Sequence, residues 1–127
     1  MLLVKTFIKE IQGKGIGLFA SEKIYKGTLC HKTENEFDKI FDEDWVKKNN
    51  MLDFFLKYST YDESGKIFYL CSDNARFINH SYNPNTDGQK DFIIANRDIE
   101  AGEEITINYL TICDIDKKRG FVDFEVI

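Results

Sequence analysis

The sequence predicts a single, mostly-β domain built from short strands and one helical stretch. Its 127 residues fit one domain, and the chain has only one proline and no linker-like stretch. Hydrophobic residues make up 43% of the chain, which is enough for a buried core. Short apolar runs are separated by polar or glycine-containing turns, a pattern typical of strands. We therefore treat residues 1–127 as one domain.

Strands are predicted from partial or full alternation of apolar residues. The first covers residues 3–11 and ends before a run of closely spaced glycines. In the last strand, at residues 121–127, the alternate residues Val122, Phe124 and Val126 are apolar, as in a half-buried strand. Turn residues mark off the strands after the first, which we place at residues 16–20, 28–32, 66–71, 92–95, 105–109 and 121–127.

A helical stretch is predicted over residues 42–58. Asp42 or Asp44 can cap its start. The pair Asn49-Asn50 can interrupt it, in which case the stretch would form two short helices. Its apolar face follows the 3.6-residue period and comprises Trp45, Leu52, Phe55 and Leu56.

The charge balance favours a basic partner over nucleic acid. Lys and Arg total 17 and Asp and Glu total 22, which gives a formal net charge of -5. Nucleic-acid binding usually needs a basic face, so we expect no direct contact with nucleic acid. An acidic domain attracts basic partners such as lysine-rich peptides. The alternative is that the charge only keeps the protein soluble.

The hydropathy pattern and the cysteines indicate a cytoplasmic protein. No apolar run approaches the length of about 18 residues that a membrane span needs, so we expect no membrane association. The apolar start of the chain is also too short for a secretory signal. Cys30, Cys71 and Cys113 form no CxxC pair and indicate reduced thiols. Since only His31 and His80 could join them, we predict no metal site.

Three segments combine residue types that can carry chemistry. They are GKGIGLFA at residues 13–20, NARFINHSYNPNT at residues 74–86 and AGEEITINY at residues 101–109. Each alone has an ordinary interpretation: a glycine turn, a polar turn that bonds its own backbone, and an edge hairpin with a packed tyrosine. The first lacks the Gly-Lys-Ser/Thr of a phosphate loop, which makes a nucleotide-phosphate binder a minor alternative.

Taken together and in this order, the three segments resemble the SET-domain protein lysine methyltransferases, in particular the minimal bacterial and viral members. The resemblance covers about residues 14–109. It implies the SET-domain β-clip fold of short strands, with a small helical insert at about residues 36–60. It also implies a C-terminal pseudoknot, in which the Asn-His segment and the tyrosine segment cross, followed by a tail at residues 110–127.

The same resemblance implies a protein-lysine N-methyltransferase. Such an enzyme uses S-adenosylmethionine to methylate the side-chain amine of a lysine in a protein or peptide substrate. Tyr109 matches the tyrosine at the transfer centre, and Tyr58, Tyr61 and Ile107 are expected to line the lysine channel. Arg76 is expected to brace the cofactor site. The residues expected to bind the cofactor are Lys14, Gly15, Ile16, Arg76, Asn79, His80 and Phe121.

The sequence departs from the family pattern after Tyr109, where no cysteine-rich zinc segment follows. Phe121 or Phe124 could cover the cofactor instead, or a second subunit could do so in a homodimer. A plain C-terminal strand is the simpler interpretation. The aliphatic Ile107 leaves the number of transferred methyl groups open. A non-catalytic peptide- or cofactor-binding module is the alternative function, but the intact residues in all three segments favour an enzyme.

Overall fold

A computed structural model describes residues 1–34, 36–89 and 91–112. Most elements in this part of the chain are short strands, which confirms the predicted fold class. In chain order the strands are β1 (Thr6–Ile11), β2 (Gly15–Ala20), β3 (Leu29–Lys32), β4 (Lys39–Asp42), β5 (Thr60–Asp62), β6 (Ile67–Leu70), β7 (Asn79–His80), β8 (Thr86–Gln89), β9 (Phe92–Ala95) and β10 (Thr106–Ile107). The helices are α1 (Glu43–Lys48), α2 (Leu52–Tyr58) and 3-10 turns at Asn74–Phe77 and Tyr109–Thr111.

The strands form small, separate sheets. β1 and β2 make an antiparallel hairpin, and Gly13 and Gly15 take φ values of 83° and 91° at its turn, a region that favours glycine. β9 lies between β3 and β8, and β6 lies between β4 and β5. β7 and β10 pair in parallel, although the chain between them also contains β8 and β9. This pairing brings the second and third sequence segments together.

The helical insert contains two helices, as the pair Asn49-Asn50 allowed. Asp42 caps the first, because its carboxylate accepts a hydrogen bond of 3.2 Å from the backbone N–H of Trp45. Asn50 then takes a positive φ of 56° between the two helices. The strands β4 and β5, which flank the helices, were not predicted. β4 falls partly inside the predicted helical stretch, and both strands have at most four residues.

Trp45 was wrongly placed on the buried face of the helical stretch. Its side chain is 45% exposed, whereas the adjacent Val46 is fully buried. The seven-residue spacing from Trp45 to Leu52 crosses the break between α1 and α2. The break resets the helical phase, so residues that would share a face of one continuous helix do not share it here.

Two hydrophobic clusters form the core. The larger one joins the hairpin β1–β2, the sheet of β3, β9 and β8, and residues 99–112, with Leu18, Ile99, Ile105 and Ile107 at most 1% exposed. The smaller one lies within residues 39–70, from β4 to β6, which we call the insert, and it contains Val46, Phe55, Leu56, Tyr61 and Phe68. The insert therefore has its own core and can hold side chains against the rest of the domain.

Tyr109 was predicted as the last residue of a strand, but it begins a 3-10 turn. Asn108 caps this turn by accepting a hydrogen bond of 3.0 Å from the backbone N–H of Leu110. An asparagine that can bond the backbone two residues ahead favours a turn over continued strand. The predicted strand at 121–127, with Phe121 and Phe124, lies outside the described residues. Within the described ranges, no helix is long and apolar enough to cross a bilayer.

The insert core yields a stability prediction. Phe68 is fully buried, and its ring centroid lies 4.9 Å from that of Tyr61 and 5.6 Å from that of Phe55. Phe68→Ala should lower the free energy of unfolding by about 3–5 kcal/mol, because it removes buried apolar area and leaves a cavity. Chemical denaturation measures this loss. Ile40→Ala, on β4 at a 55% exposed position, is the control and should stay within about 0.5 kcal/mol. Equal losses would contradict the packing described.

Candidate active site

A cavity of about 480 Å³ lies between the insert and the rest of the domain. The insert contributes residues between Lys57 and Ser64 to its wall, and β9 and residues 107–112 contribute to the rest of the wall. Five of the site residues predicted from the sequence line this cavity: Tyr58, Tyr61, Arg76, Ile107 and Tyr109. The fold therefore gathers the predicted lysine channel and the predicted catalytic tyrosine at one place.

Tyr109 is held in the cavity wall by hydrogen bonds to His80 of β7 and to Ile78, the residue before β7. Its hydroxyl donates a hydrogen bond of 2.5 Å to the backbone carbonyl of Ile78. Its backbone N–H donates to Nδ1 of His80 at 3.0 Å, and the two rings meet edge to face with centroids 5.3 Å apart. His80 is only 6% exposed, so the ring that supports Tyr109 is itself fixed by packing. Both ends of the tyrosine are thus positioned before any substrate binds.

Glu104 is the centre of a polar cluster that includes Asn79 of β7. The side-chain amide of Asn79 donates to a carboxylate oxygen of Glu104 at 2.9 Å and to the carbonyl of Ile16 at 3.2 Å. The other carboxylate oxygen lies 3.8 Å from Nζ of Lys14. We call these four residues, Lys14, Ile16, Asn79 and Glu104, the Glu104 cluster. Glu104 belongs to the third sequence segment but was assigned no role there, because a glutamate beside a turn usually only faces solvent.

The glycines of the hairpin allow this cluster to form and stay accessible. A Cβ at Gly17 would lie 2.5 Å from Cδ1 of Ile11, 2.9 Å from the Glu104 carboxylate and 3.2 Å from the Asn79 amide nitrogen. Any side chain at position 17 would therefore push the cluster apart. A Cβ at Gly15, by contrast, would meet no atom within 4 Å. The turn thus presents backbone to open space beside a compact set of polar groups.

The two insert tyrosines have different surroundings. Tyr61 is 7% exposed, and its hydroxyl donates to the buried carboxylate of Glu43 at 3.0 Å. The ring of Tyr58 packs against Phe54 and Phe77, at centroid distances of 5.2 and 5.7 Å. Both tyrosines pack against insert residues and also line the cavity, so their place in a lysine channel stays a prediction that this packing allows.

Arg76 lies in the cavity wall and not in the Glu104 cluster. Its guanidinium carbon is 4.8 Å from the centroid of the Phe77 ring, and Nη1 donates to the carbonyl of Asp73 at 3.4 Å. This places a cation beside the ring that supports Tyr58. Phe121, the remaining predicted cofactor residue, lies outside the described residues.

Cys71 and His31 meet at one end of the cavity, with Sγ and Nε2 3.8 Å apart. Burial raises the pKa of the Cys71 thiol to about 12, and the carboxylate of Asp38 acts in the same direction. Burial also lowers the pKa of His31. At neutral pH the thiol is protonated and the imidazole is neutral, so this pair does not supply a reactive thiolate.

Comparison with known proteins agrees with the arrangement of these elements. The family model for the SET domain matches residues 15–110. A variant-silencing SET domain-containing protein from Plasmodium falciparum (isolate 3D7) is 34% identical in an alignment 130 residues long that covers 83% of this chain. The chain spans 5% of the length of that relative.

Solved structures with the same fold are more distant in sequence. One chain from the structure of polycomb repressive complex 2 of Chaetomium thermophilum in complex with H3K27me3 and H3K27M superposes with a TM-score of 0.64. The two chains are 21% identical, and the match covers 84% of this chain and 14% of the other. A Plasmodium falciparum protein provisionally assigned as a histone methyltransferase gives a TM-score of 0.61 at 19% identity, over 85% and 95% of the two chains. Because the family model matches most of its residues, the chain belongs to the SET-domain family.

Proposed function

We propose that this chain is a protein-lysine N-methyltransferase that uses S-adenosylmethionine and acts on a lysine in a protein or peptide substrate. The observation that carries the proposal is the position of Tyr109. It lines the cavity and is bonded to Ile78 and His80, while Asn79, between them in sequence, points into the Glu104 cluster. An amine channel and a polar cofactor site would therefore meet across a single short strand.

The Glu104 cluster suits the amino-acid end of S-adenosylmethionine. The Glu104 carboxylate and the Ile16 carbonyl are acceptors for an ammonium group, and Lys14 is a cation for a carboxylate. The exposed backbone at Gly15 allows a ligand to approach closely. We assign cofactor binding to Lys14, Gly15, Ile16, Asn79 and His80, and we leave Arg76 out of this set because it lies in the wall of the cavity. When bound, S-adenosylmethionine supplies a methyl group activated on a sulfonium.

The acceptor lysine must lose its proton before it can react. A free lysine has a pKa of about 10.4, so neutralising it at pH 7 costs about 4.6 kcal/mol. A cavity lined by Tyr58, Tyr61 and the buried Ile107 disfavours the ammonium form and so reduces this cost. Cys71 cannot act as the base, because its pKa is about 12 and it is already protonated. In our proposal the proton leaves to water.

Tyr109 would orient the neutral amine. Its hydroxyl donates to the carbonyl of Ile78, so toward an amine N–H the oxygen would act as an acceptor. The fixed ring and hydroxyl hold the nitrogen in line for displacement, and alignment of this kind can supply several kcal/mol. The Tyr109 oxygen would also face the positive charge that the nitrogen gains as it accepts the methyl group.

The substrate would be a basic protein segment. The net charge of -5 supports this choice, as does the complex of a structurally similar protein with H3K27me3. A cytoplasmic location and a homodimer remain predictions from the sequence. Fractionation and analytical ultracentrifugation would test them.

Calorimetry with S-adenosylmethionine, followed by mass spectrometry of lysine-rich peptides incubated with enzyme and cofactor, tests the proposal. We expect saturable cofactor binding and methylated lysine. Binding without methylation in a broad protein lysate would support a non-catalytic module instead. Thermal stabilisation by ATP that S-adenosylmethionine does not reproduce would support a nucleotide-phosphate binder.

Substitutions should separate the two halves of the site. Tyr109→Phe removes only the hydroxyl, so it should leave cofactor affinity within about threefold and lower kcat by about 100-fold or more. Asn79→Ala and His80→Ala should weaken cofactor binding by about tenfold or more, because they remove the support of the Glu104 cluster and of β7. Calorimetry and single-turnover kinetics measure both effects. Equal loss of cofactor binding in all three variants would mean that these roles are misassigned.

Glu104→Gln tests the cluster more narrowly. Glutamine keeps the shape and an acceptor for Asn79 but loses the charge that faces Lys14, so we expect cofactor affinity to fall by about 5- to 30-fold. Glu103→Gln is the matched control. Its carboxylate accepts from Asn85 at 3.1 Å and lies 3.9 Å from Arg97, away from the cluster, so affinity should stay within about twofold. Equal losses for both variants would contradict a specific role for Glu104.

A further inference from the structure

We infer that Gly88 sets the width of the cavity beside Tyr109, and through it the capacity to accept a lysine that already carries methyl groups. This inference rests on the proposed methyl-transfer function. Gly88 lies on β8, where it pairs with Ile93 of β9, and it does not itself line the cavity. It would therefore act as a positioning residue, through Ile107 and Ile112.

The close approach of these two isoleucines to Gly88 is the basis of the inference. A Cβ at position 88 would lie 2.5 Å from Cδ1 of Ile107 and closer still to Cγ2 of Ile112. Cβ atoms essentially never come within 3.0 Å of a heavy atom outside their own and the adjacent residues. The backbone of Gly88 is not among the positive-φ positions, so its conformation alone does not require glycine. Glycine is needed there for space.

Both isoleucines form part of the cavity wall next to Tyr109. Ile107 is 1% exposed and belongs to the larger core cluster, against which Ile112 packs. A methyl group added at Gly88 would have to displace them. On one side the isoleucines pack against the close-packed core, and on the other they border the open cavity. The isoleucine side chains would therefore move toward the cavity. Because Gly88 has no side chain, both isoleucines can pack against its backbone, which leaves the channel wider.

The width matters most for lysines that are already methylated. An unmodified amine presents only hydrogens to the wall, while each added methyl group must fit beside Ile107 and Ile112. Gly88→Ala should therefore impair transfer to monomethyl- and dimethyl-lysine more than transfer to unmodified lysine. Gly88 would favour higher methylation states without contacting substrate or cofactor.

The test compares peptides that carry unmodified, monomethyl- or dimethyl-lysine, with kcat and KM measured by mass spectrometry. In Gly88→Ala we expect the ratio of kcat/KM for dimethyl-lysine to that for unmodified lysine to fall by about tenfold. Adding Ile107→Val and Ile112→Ala to Gly88→Ala removes the atoms that the new Cβ meets and should restore the ratio. Ile107→Val alone should raise the ratio, and it keeps the inference testable if Gly88→Ala does not fold.

An independent readout comes from ¹³C-methyl NMR of the cofactor-free protein. The signals of Ile107 and Ile112 should shift in Gly88→Ala, while that of Ile40 should not. An unchanged ratio in Gly88→Ala and in Ile107→Val, in a wild-type protein that does transfer methyl groups, would overturn the inference. A wild-type protein that transfers only to unmodified lysine would overturn it too. Failure to methylate any lysine would instead refute the proposed function, on which the inference rests.

Discussion

The parallel pairing of β7 with β10 is the constraint on which the site depends. Thr106 pairs with Asn79 and Ile107 with His80, so two short segments more than twenty residues apart lie side by side. This register brings Tyr109 against His80 and Ile78, and it brings Glu104 within reach of Asn79. A slip of one residue would turn each side chain to the opposite face and separate the tyrosine from its supports.

Such a short pairing needs support from outside the two strands. Asn85, which is 1% exposed, gives that support: its amide nitrogen donates to the carbonyl of Glu104 at 2.7 Å, and its side-chain oxygen accepts from the N–H of Thr106 at 2.9 Å. The Asn85 side chain thus bonds backbone atoms within β10 and just before it, and the Thr106 hydroxyl in turn accepts from the backbone N–H of Asn85 at 3.3 Å. The polar residues of the second segment thus have a structural role as well as the ligand-binding role that we propose.

The sequence predicted the composition of the site better than its local structure. The three segments could be selected in advance by their residue types and order, and Tyr58, Tyr61, Ile107 and Tyr109 through the family resemblance that these segments carry. β7 and β8 could not, since a two-residue strand and the polar stretch Thr86–Gln89 carry no apolar period. Glu104 and Gly88 were missed for a related reason. Their roles depend on close approaches between distant segments, which periodicity and composition do not report.

The central claim is that cofactor and lysine reach Tyr109 from opposite sides of β7. A crystal structure of the protein with S-adenosylhomocysteine and a lysine peptide tests it most directly. The account predicts that the amino-acid end of the nucleoside contacts Asn79 and Lys14, and that the lysine nitrogen lies about 3 Å from the Tyr109 hydroxyl, between Tyr58 and Ile107. Nucleoside and peptide bound on the same side of β7, or a lysine nitrogen remote from Tyr109, would contradict it.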